Sequence, residues 1–518
     1  MTQIAADPPL ASSRRKATDW VTFACLLSFA LLHGLLYLFL ILPWQGYDEP
    51  THFEHALIRA ASDLATYRNE FVQPIADSMQ RFDFWGPDGE PTYRSPGVPF
   101  IGFNQRIHPP FYYELASLPI EQTLDQSIET QLYAARLLSL ALYVVSVLAV
   151  WRLAVVLTPD QPSLQVAVPL IYATLPAFAS LMVTVNNDVL INATGAMLLL
   201  ACALLIRDGL RPLPLLMALL SLGIGVAAKR TAVLGVVPLV LALFWSLKRQ
   251  PIRGIWRWVT LVLGLALATG GFVAAVEIAQ TEAGMTFELR PWFLQLDQQY
   301  LRLRLEPFFL SIMDWENSAQ LYPFTLEVAF RTHWGAYGWD RIVLDGVWTI
   351  IFLLLSAAAG LGLLIRAFRR RDEVALWQRR VIWMLLSLIA VGVAALLLRV
   401  HPIPPYGDYV YISRGRYLFG MLGATIWLLV FGLLGLLPRR FDTLLLLALV
   451  LFFFIFNTYG LVTLITEYYG QPWTLEALTA GKPWLFAVPA LYLALGVLTA
   501  VSAGVCLWRV WAVARVST

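Results

Sequence analysis

Two adjacent acids, Asp48 and Glu49, are followed within two helical turns by His52 and His55. A carboxylate or a neutral imidazole can take a proton from an attacking hydroxyl, and both are metal-ligand types. Glu49, His52 and His55 fall at i, i+3 and i+6, a spacing that a regular helix does not keep on one tight face. Asp48 pairs better with either histidine. The residues give no reason to expect an obligatory metal or other cofactor, and a divalent cation stays open. The plainest competing reading is that Asp48 and Glu49 cap a helix that begins near Pro50. Cations and further polar groups recur along the chain. Lys229 and Arg230 lie between two apolar runs, and Arg414 and Arg416 precede another, with Tyr417 beside them. They suit a phosphate, Arg by bidentate contact and Lys as a point charge. Their bland readings are snorkelling to a membrane surface and interfacial anchoring. Asp188 follows Asn186 and Asn187, where helix capping is the simpler role. His108 precedes Pro109-Pro110, and His333 lies in the segment RTHWGAYGWD.

These residues sit in a chain built for a bilayer. Of 518 residues 58% are hydrophobic and 14% charged, with a mean hydropathy of +0.66, whereas soluble domains carry about 25% charged residues. The sequence predicts an all-α polytopic membrane protein with about 12 spans, near 19–43, 131–157, 165–185, 188–206, 213–228, 231–247, 257–277, 346–366, 380–399, 418–437, 442–465 and 484–508. The fifth and sixth are short enough to be half-helices or a broken pair. Basic residues recur in alternate connections: Arg14-Arg15-Lys16, Arg207 with Arg211, Lys248-Arg249, Arg369-Arg370-Arg371 with Arg379-Arg380, Arg439-Arg440, and Arg509 with Arg515. The positive-inside rule then places both termini in the cytoplasm. A net charge of +3 gives no reason to expect nucleic acid. Cys25, Cys202 and Cys506 lie in apolar runs, so neither a disulfide framework nor a thiolate metal site is supported. No cleavable leader is evident before the first span.

That topology leaves two long external connections, 44–130 and 278–345, and long connections of this kind are usually functional. The first begins with the acid pair, passes a Pro- and Gly-rich middle, and closes on IHPPFYYELASLPI, which suits an interfacial helix entered through Pro109-Pro110. Three of the six histidines, His52, His55 and His108, share this connection with the acids. The chemistry is therefore expected on the external face. Three segments follow: residues 1–18 as a tail, 19–437 as the catalytic module with both loops, and 438–518 as C-terminal spans with a short tail.

The ordered motifs carry a family resemblance. A first span is followed at once by an Asp-Glu pair, then by a long loop with HPPFYY before the second span. VNNDVLINATGAMLLL, AAKRTAVLGVVPLVL and SRGRYLFGMLGA come in order after it. The chain resembles the C-type superfamily of integral-membrane glycosyltransferases, over about residues 19–437. WGAYGW and GRYLF look like a bacterial branch more than the protein mannosyltransferases or the lipid A aminoarabinose transferases. The resemblance implies a polyprenyl-phosphate-sugar donor, a lipid or glycan acceptor and a site on the periplasmic face of a bacterial inner membrane. It implies Asp48 as general base in an inverting displacement, with Glu49 in support. Lys229, Arg230, Arg414, Arg416 and Tyr417 would meet the donor phosphate, and His52, His55, His108, Asp188 and His333 would line the cavity. A polysaccharide polymerase or ligase of related architecture is the closer rival. A secondary transporter fits less well, since no internal repeat is evident and the spans carry little charge.

Overall fold

A computed structural model describes residues 13–61, 69–85, 108–249, 315–398 and 413–517. The expected span at 257–277, the first part of the 278–345 connection, the Pro- and Gly-rich middle of the first loop, and Arg399 with His401 lie outside the described residues.

Apolar length dictates the frame. Among the described residues nine helices are long and apolar enough to cross a membrane. In chain order the helices are α1 (Ser13–Leu40), α2 (Glu49–Ala60), α3 (Asn69–Arg81), α4 (Phe111–Glu121), α5 (Ile128–Leu157), α6 (Pro162–Ala173), α7 (Pro176–Met182), α8 (Asn187–Asp208), α9 (Pro212–Ala228) and α10 (Val236–Arg249). After the undescribed stretch come α11 (Trp315–Gly335), a two-stranded hairpin of β1 (Ala336–Tyr337) and β2 (Ile342–Val343), α12 (Gly346–Phe368), α13 (Leu376–Leu398), α14 (Leu422–Leu433), α15 (Asp442–Tyr469), α16 (Leu475–Thr479) and α17 (Pro489–Ser517). The fold is an all-α polytopic membrane bundle.

The span expected at 165–185 is two helices instead. α6 and α7 meet at 69°, because Pro176 has no N–H to donate and disfavours helical backbone at Leu175 before it. The carbonyls freed at the break are satisfied from neighbouring helices, as a non-aqueous setting demands. The Tyr143 hydroxyl donates to the Ala173 carbonyl at 2.9 Å and Asn457 Nδ2 to that of Thr174 at 2.8 Å. The short fifth and sixth spans are α9 and a helix in two parts, a 3₁₀ turn at Arg230–Gly235 continuing into α10. Both pack on α8, and extended Lys229 forms the turn between them.

Two cores result. One runs the length of the bundle, from Leu26 and Phe29 in α1 to Phe453 in α15 and Cys506 in α17. The C-terminal helices are integral to it: α17 lies along α1, and Lys482 Nζ donates to the Phe39 carbonyl at the end of α1 at 2.6 Å. The second core joins α2, α3 and α4 over the start of α5, around Trp44, Phe53, Met79, Tyr112 and Leu132. It packs the described helices of the first loop against the start of α5. All twelve residues of α2 are buried, so α2 is a packed element and not a surface helix. α4 instead exposes Phe111 and Leu118 while burying Tyr112 and Tyr113, the two-faced pattern expected of an interfacial helix.

Candidate active site

Glu49 fixes the site's foundation. Its side chain and that of Arg136 are both fully buried. Arg136 Nε donates to Oε1 at 2.8 Å and Nη2 to Oε2 at 2.6 Å. The backbone N–H of Val185 adds a bond to Oε1 at 3.0 Å, and that of Gly46 one to Oε2 at 3.2 Å. Arg136 completes its own valence on the carbonyls of Ile41 and Leu42, at 2.9 Å each. Every lone-pair direction of the carboxylate is thus used, so Glu49 ties α1, α2, α5 and the α7–α8 turn into one unit and has none left for a substrate. Arg136 is the residue that the sequence reading missed. Its signal was an arginine early in an apolar span, where an ion is costly without a partner; the span's other arginine, Arg152, lies near the far end.

Asp48 behaves in the opposite way. It is the residue before α2, yet its side chain makes no capping bond, so the capping role considered for it is absent. Its backbone is left-handed, at φ 55° and ψ 15°, a conformation costly for most residues and most tolerable for Asn and Asp. That turn points the carboxylate across to Arg416, whose Nη2 donates to Oδ2 at 2.9 Å. The Asp48 side chain stays 36% exposed while that of Arg416 is 11% exposed. Adjacent residues of the pair therefore differ: one is sealed in, the other is partly open to solvent.

Arg416 connects the remaining groups. Its guanidinium lies 4.0 Å from the Tyr47 ring centroid and 5.4 Å from that of Tyr417, stacking that favours a partly desolvated cation. Its Nε and Nη1 are buried with no hydrogen-bond partner among the described residues. Lys229 also lies near Tyr417, its Nζ 5.5 Å from the ring centroid and 2.5 Å from Asp188 Oδ1. Asp188 does not cap α8; Asn186 does, accepting from the Asp188 N–H at 2.8 Å and donating to the Tyr47 carbonyl at 2.6 Å. Asp48, Arg416, Tyr417, Lys229 and Asp188 thus form one continuous chain of contacts. Arg230 does not join it: its side chain is exposed at the start of the 3₁₀ turn, and no ion pair with it is found among the described residues.

The histidines occupy three settings. His52 is buried, its Nδ1 2.9 Å from the Tyr113 hydroxyl and its ring stacked at 6.4 Å on His108. Burial, reinforced by the nearby charges of His108, Lys229 and Arg416, holds His52 well below the ordinary imidazole range, so it is neutral at pH 7. His55 stacks on Tyr113 at 4.0 Å and receives a bond from Arg59 Nε at 3.4 Å; Arg59 is in turn paired with Glu114. His333 does not line the cavity. It is packed against Trp334 and Phe419, its Nδ1 3.2 Å from the Gly415 carbonyl, and burial lowers it to about 4. It supports the strand of chain that carries Arg414 and Arg416. Among the described residues no three His, Cys, Asp or Glu side chains are grouped so as to hold a metal ion.

The tip of the β1–β2 hairpin holds both sides of the pair in register. Gly338, Trp339 and Asp340 all have positive φ. Asp340 receives a bond from the Tyr47 hydroxyl and pairs with Arg414 Nε at 2.6 Å, while Trp339 Nε1 donates to the Trp44 carbonyl at 3.3 Å. Arg414 is therefore engaged by protein. Asp340 grips the neighbour of Asp48 in sequence and the near-neighbour of Arg416. Below it, Gly415 permits the close approach of α11: a Cβ there would lie 2.1 Å from the Ala329 carbonyl oxygen and 2.4 Å from the His333 nitrogen.

Beside Tyr417 lies an apolar cleft of about 70 Å³, lined by Ile191, Leu198, Leu222, Ala232 and Met421 among others. The helix directions set this whole assembly at one end of the bundle. Arg366, Arg370, Arg379, Arg439 and Arg509 lie at the other end, where Gln378 Nε2 meets the Leu157 carbonyl at 2.8 Å and Arg439 pairs with Glu373.

Part of the chain resembles a known family. Residues 124–270 match the model of the dolichyl-phosphate-mannose-protein mannosyltransferase family, a stretch that contains Arg136, Asp188 and Lys229 and lies outside WGAYGW and GRYLF. No curated protein matches the chain. Among solved structures, the arabinosyltransferase EmbB from Mycobacterium smegmatis is similar at 14% identity and a TM-score of 0.44, over 98% of this chain and 42% of that one. The chain thus spans less than half the length of that structure. The chain is thus similar, over residues 124–270, to a family of membrane mannosyltransferases, within an all-α membrane fold.

Proposed function

We propose that this protein transfers a sugar from a polyprenyl-phosphate donor to an acceptor hydroxyl. The observation that carries the reading is the Asp48–Arg416 contact: a carboxylate released from any capping role faces a buried guanidinium whose Nε and Nη1 have no hydrogen-bond partner among the described residues. Phosphate oxygens would supply acceptors for those nitrogens, and the Lys229 ammonium adds a second cation beside Tyr417. The donor's isoprenoid chain would enter the apolar cleft beside Tyr417. In the reaction Asp48 takes the acceptor proton as the acceptor oxygen bonds to the anomeric carbon. The bond from that carbon to the phosphate oxygen breaks with inversion, and Arg416 and Lys229 meet the negative charge that develops on the departing polyprenyl phosphate. Asp340, Glu49 and Arg136 position these groups without touching substrate. His52, His55 and His108 border the sugar, and no obligatory metal takes part. The basic end of the bundle faces the cytoplasm with both termini, by the positive-inside rule. The site then opens to the external face of a bacterial inner membrane, where the acceptor is a lipid or glycan.

The test is turnover of a panel of radiolabelled polyprenyl-phosphate sugars by the purified protein, beside Asp48→Asn. General-base removal costs on the order of 10²–10⁴ in rate. Undiminished transfer by the variant would sink the proposed base, and hydrolysis or transfer of none of the lipid-phosphate sugars would sink the donor class. A chelator should leave turnover unchanged.

A further inference from the structure

The end of the bundle opposite the candidate active site holds a second cavity. α12 and α14 lie unusually close, because Gly362, Gly432 and Gly435 let backbone meet backbone: a Cβ at Gly362 would stand 1.9 Å from the Gly432 carbonyl oxygen. α12 and α13, by contrast, scarcely touch. Between them opens a cavity of about 570 Å³, within the usual range of small-molecule sites. Its walls are apolar, with Trp245, Leu386 and Phe431 inside and Leu364, Phe368 and Trp383 on the outer rim. These last three are exposed on the bundle surface, at 55%, 81% and 64%, so the cavity opens sideways into the hydrocarbon.

Three arginines line the same cavity. Arg366 is 7% exposed, its guanidinium 4.2 Å over the Phe431 ring and its Nε donating to the Phe431 carbonyl at 3.1 Å. Arg379 has its Nε buried with no hydrogen-bond partner among the described residues. Arg380 completes the set. An apolar cleft open to the bilayer would by itself say nothing of an occupant. Here three arginines gather on one cavity, and one buried donor lacks an acceptor among the described residues. Charge complementarity selects an anion, and lateral openness selects one with acyl chains. Snorkelling accounts for an arginine that reaches water, but not for a buried Nε left without a partner.

We propose that this cavity binds one anionic diacyl phospholipid of the leaflet opposite the active site, its phosphate on Arg379 and Arg366 and its acyl chains along Trp383 and Leu364. Basic pockets between membrane helices recognise such headgroups. The site is independent of the proposed transfer reaction, because the experiment reads lipid binding alone. Full-length protein is delipidated in detergent and titrated with phosphatidylglycerol or phosphatidylcholine under native mass spectrometry. Wild type should take up one phosphatidylglycerol in preference to phosphatidylcholine. Arg379→Gln should weaken that binding about fivefold while leaving phosphatidylcholine unchanged, and Ala367→Trp, on an exposed cavity-lining position, should abolish it by filling the space. Equal uptake of the two lipids by wild type would overturn the proposal. So would unchanged phosphatidylglycerol binding in both variants, or preferential uptake of a polyprenyl phosphate in a competing titration. If a variant fails to fold, the wild-type preference decides alone.

Discussion

Replacing Glu49 with Gln separates positioning from chemistry at the acid pair. The substitution keeps shape and volume, so its cost follows from hydrogen bonds. Four donors converge on the carboxylate: Arg136 Nε and the Val185 N–H on Oε1, Arg136 Nη2 and the Gly46 N–H on Oε2. A glutamine offers one oxygen and one NH₂. Whichever way the amide turns, its nitrogen faces two donors, so two bonds are replaced by donor–donor contacts, and Arg136 keeps a buried charge without its counter-ion. Losing two charge-assisted bonds costs about 3–6 kcal/mol at ~1.5–3 each, in line with ~3–5 kcal/mol for breaking a buried pair by removing one partner. Denaturation of the purified variant, followed with transfer activity across temperature, should show both falling together, because the 41–49 segment that aims Asp48 is released. Asp48→Asn supplies the contrast. Asparagine tolerates the left-handed backbone, still offers Arg416 a carbonyl oxygen, and stands on the side of the pair that is open to solvent, 36% exposed, so loss of this pair costs less than that of the sealed Glu49–Arg136 pair. That variant should therefore stay more stable than Glu49→Gln and yet be inactive. A Glu49→Gln protein as stable as wild type but inactive would refute the division of roles and make Glu49 a participant in the chemistry.

Further expectations follow from the same geometry. Arg416→Lys keeps a charge but loses the paired N–H groups, and should lower transfer at least tenfold with weaker donor binding, read by donor titration; Arg230→Gln should change neither. Gly415→Ala must displace α11 or the 415–421 turn, costing about 1–3 kcal/mol, measured by thermal unfolding, with loss of activity through Arg416. His52, depressed in the fold by burial and by its cationic neighbours, stays neutral while an unfolded imidazole titrates near ~6.5. The unfolded state therefore binds more protons below that pH, so stability is full above it and falls on acidification by up to about 1.4 kcal/mol per pH unit. His52→Asn should flatten that slope between pH 6.5 and 5, and an unchanged slope would refute the assignment.

Much of this molecule is legible along the chain. Apolar run length alone yields the helices, since a bilayer leaves few other ways to satisfy a backbone; the expected span boundaries agree closely with α5, α8, α12 and α13. Residue type also singles out Asp48, Glu49, Lys229, Asp188, Arg416 and Tyr417, because charge is rare enough in such a chain to be noticed. Proline marks a break, yet the expected span at 165–185 ran through Pro176, since apolar character on both sides hides a turn that Tyr143 and Asn457 stabilise from elsewhere.

What each charge does is decided only by its partners. Sequence cannot divide Asp48 from Glu49, two adjacent acids that differ by a methylene. The division arises because Arg136, 87 residues from Glu49, and the Val185 N–H, 136 residues away, close around one of them, while Arg416, 368 residues from Asp48, reaches the other. Likewise Lys229 and Arg230 are neighbours in one motif, but only Lys229 turns toward Asp188 and Tyr417. His333 and Asp340 share the segment RTHWGAYGWD with opposite fates, one packed behind Gly415 at the end of α11 and the other at the hairpin tip holding Tyr47 and Arg414. Composition and period settle which residues enter the membrane, because that depends on each segment's own transfer energy. Which of them meet depends on contacts between segments far apart in the chain, and those exist only once the helices have packed.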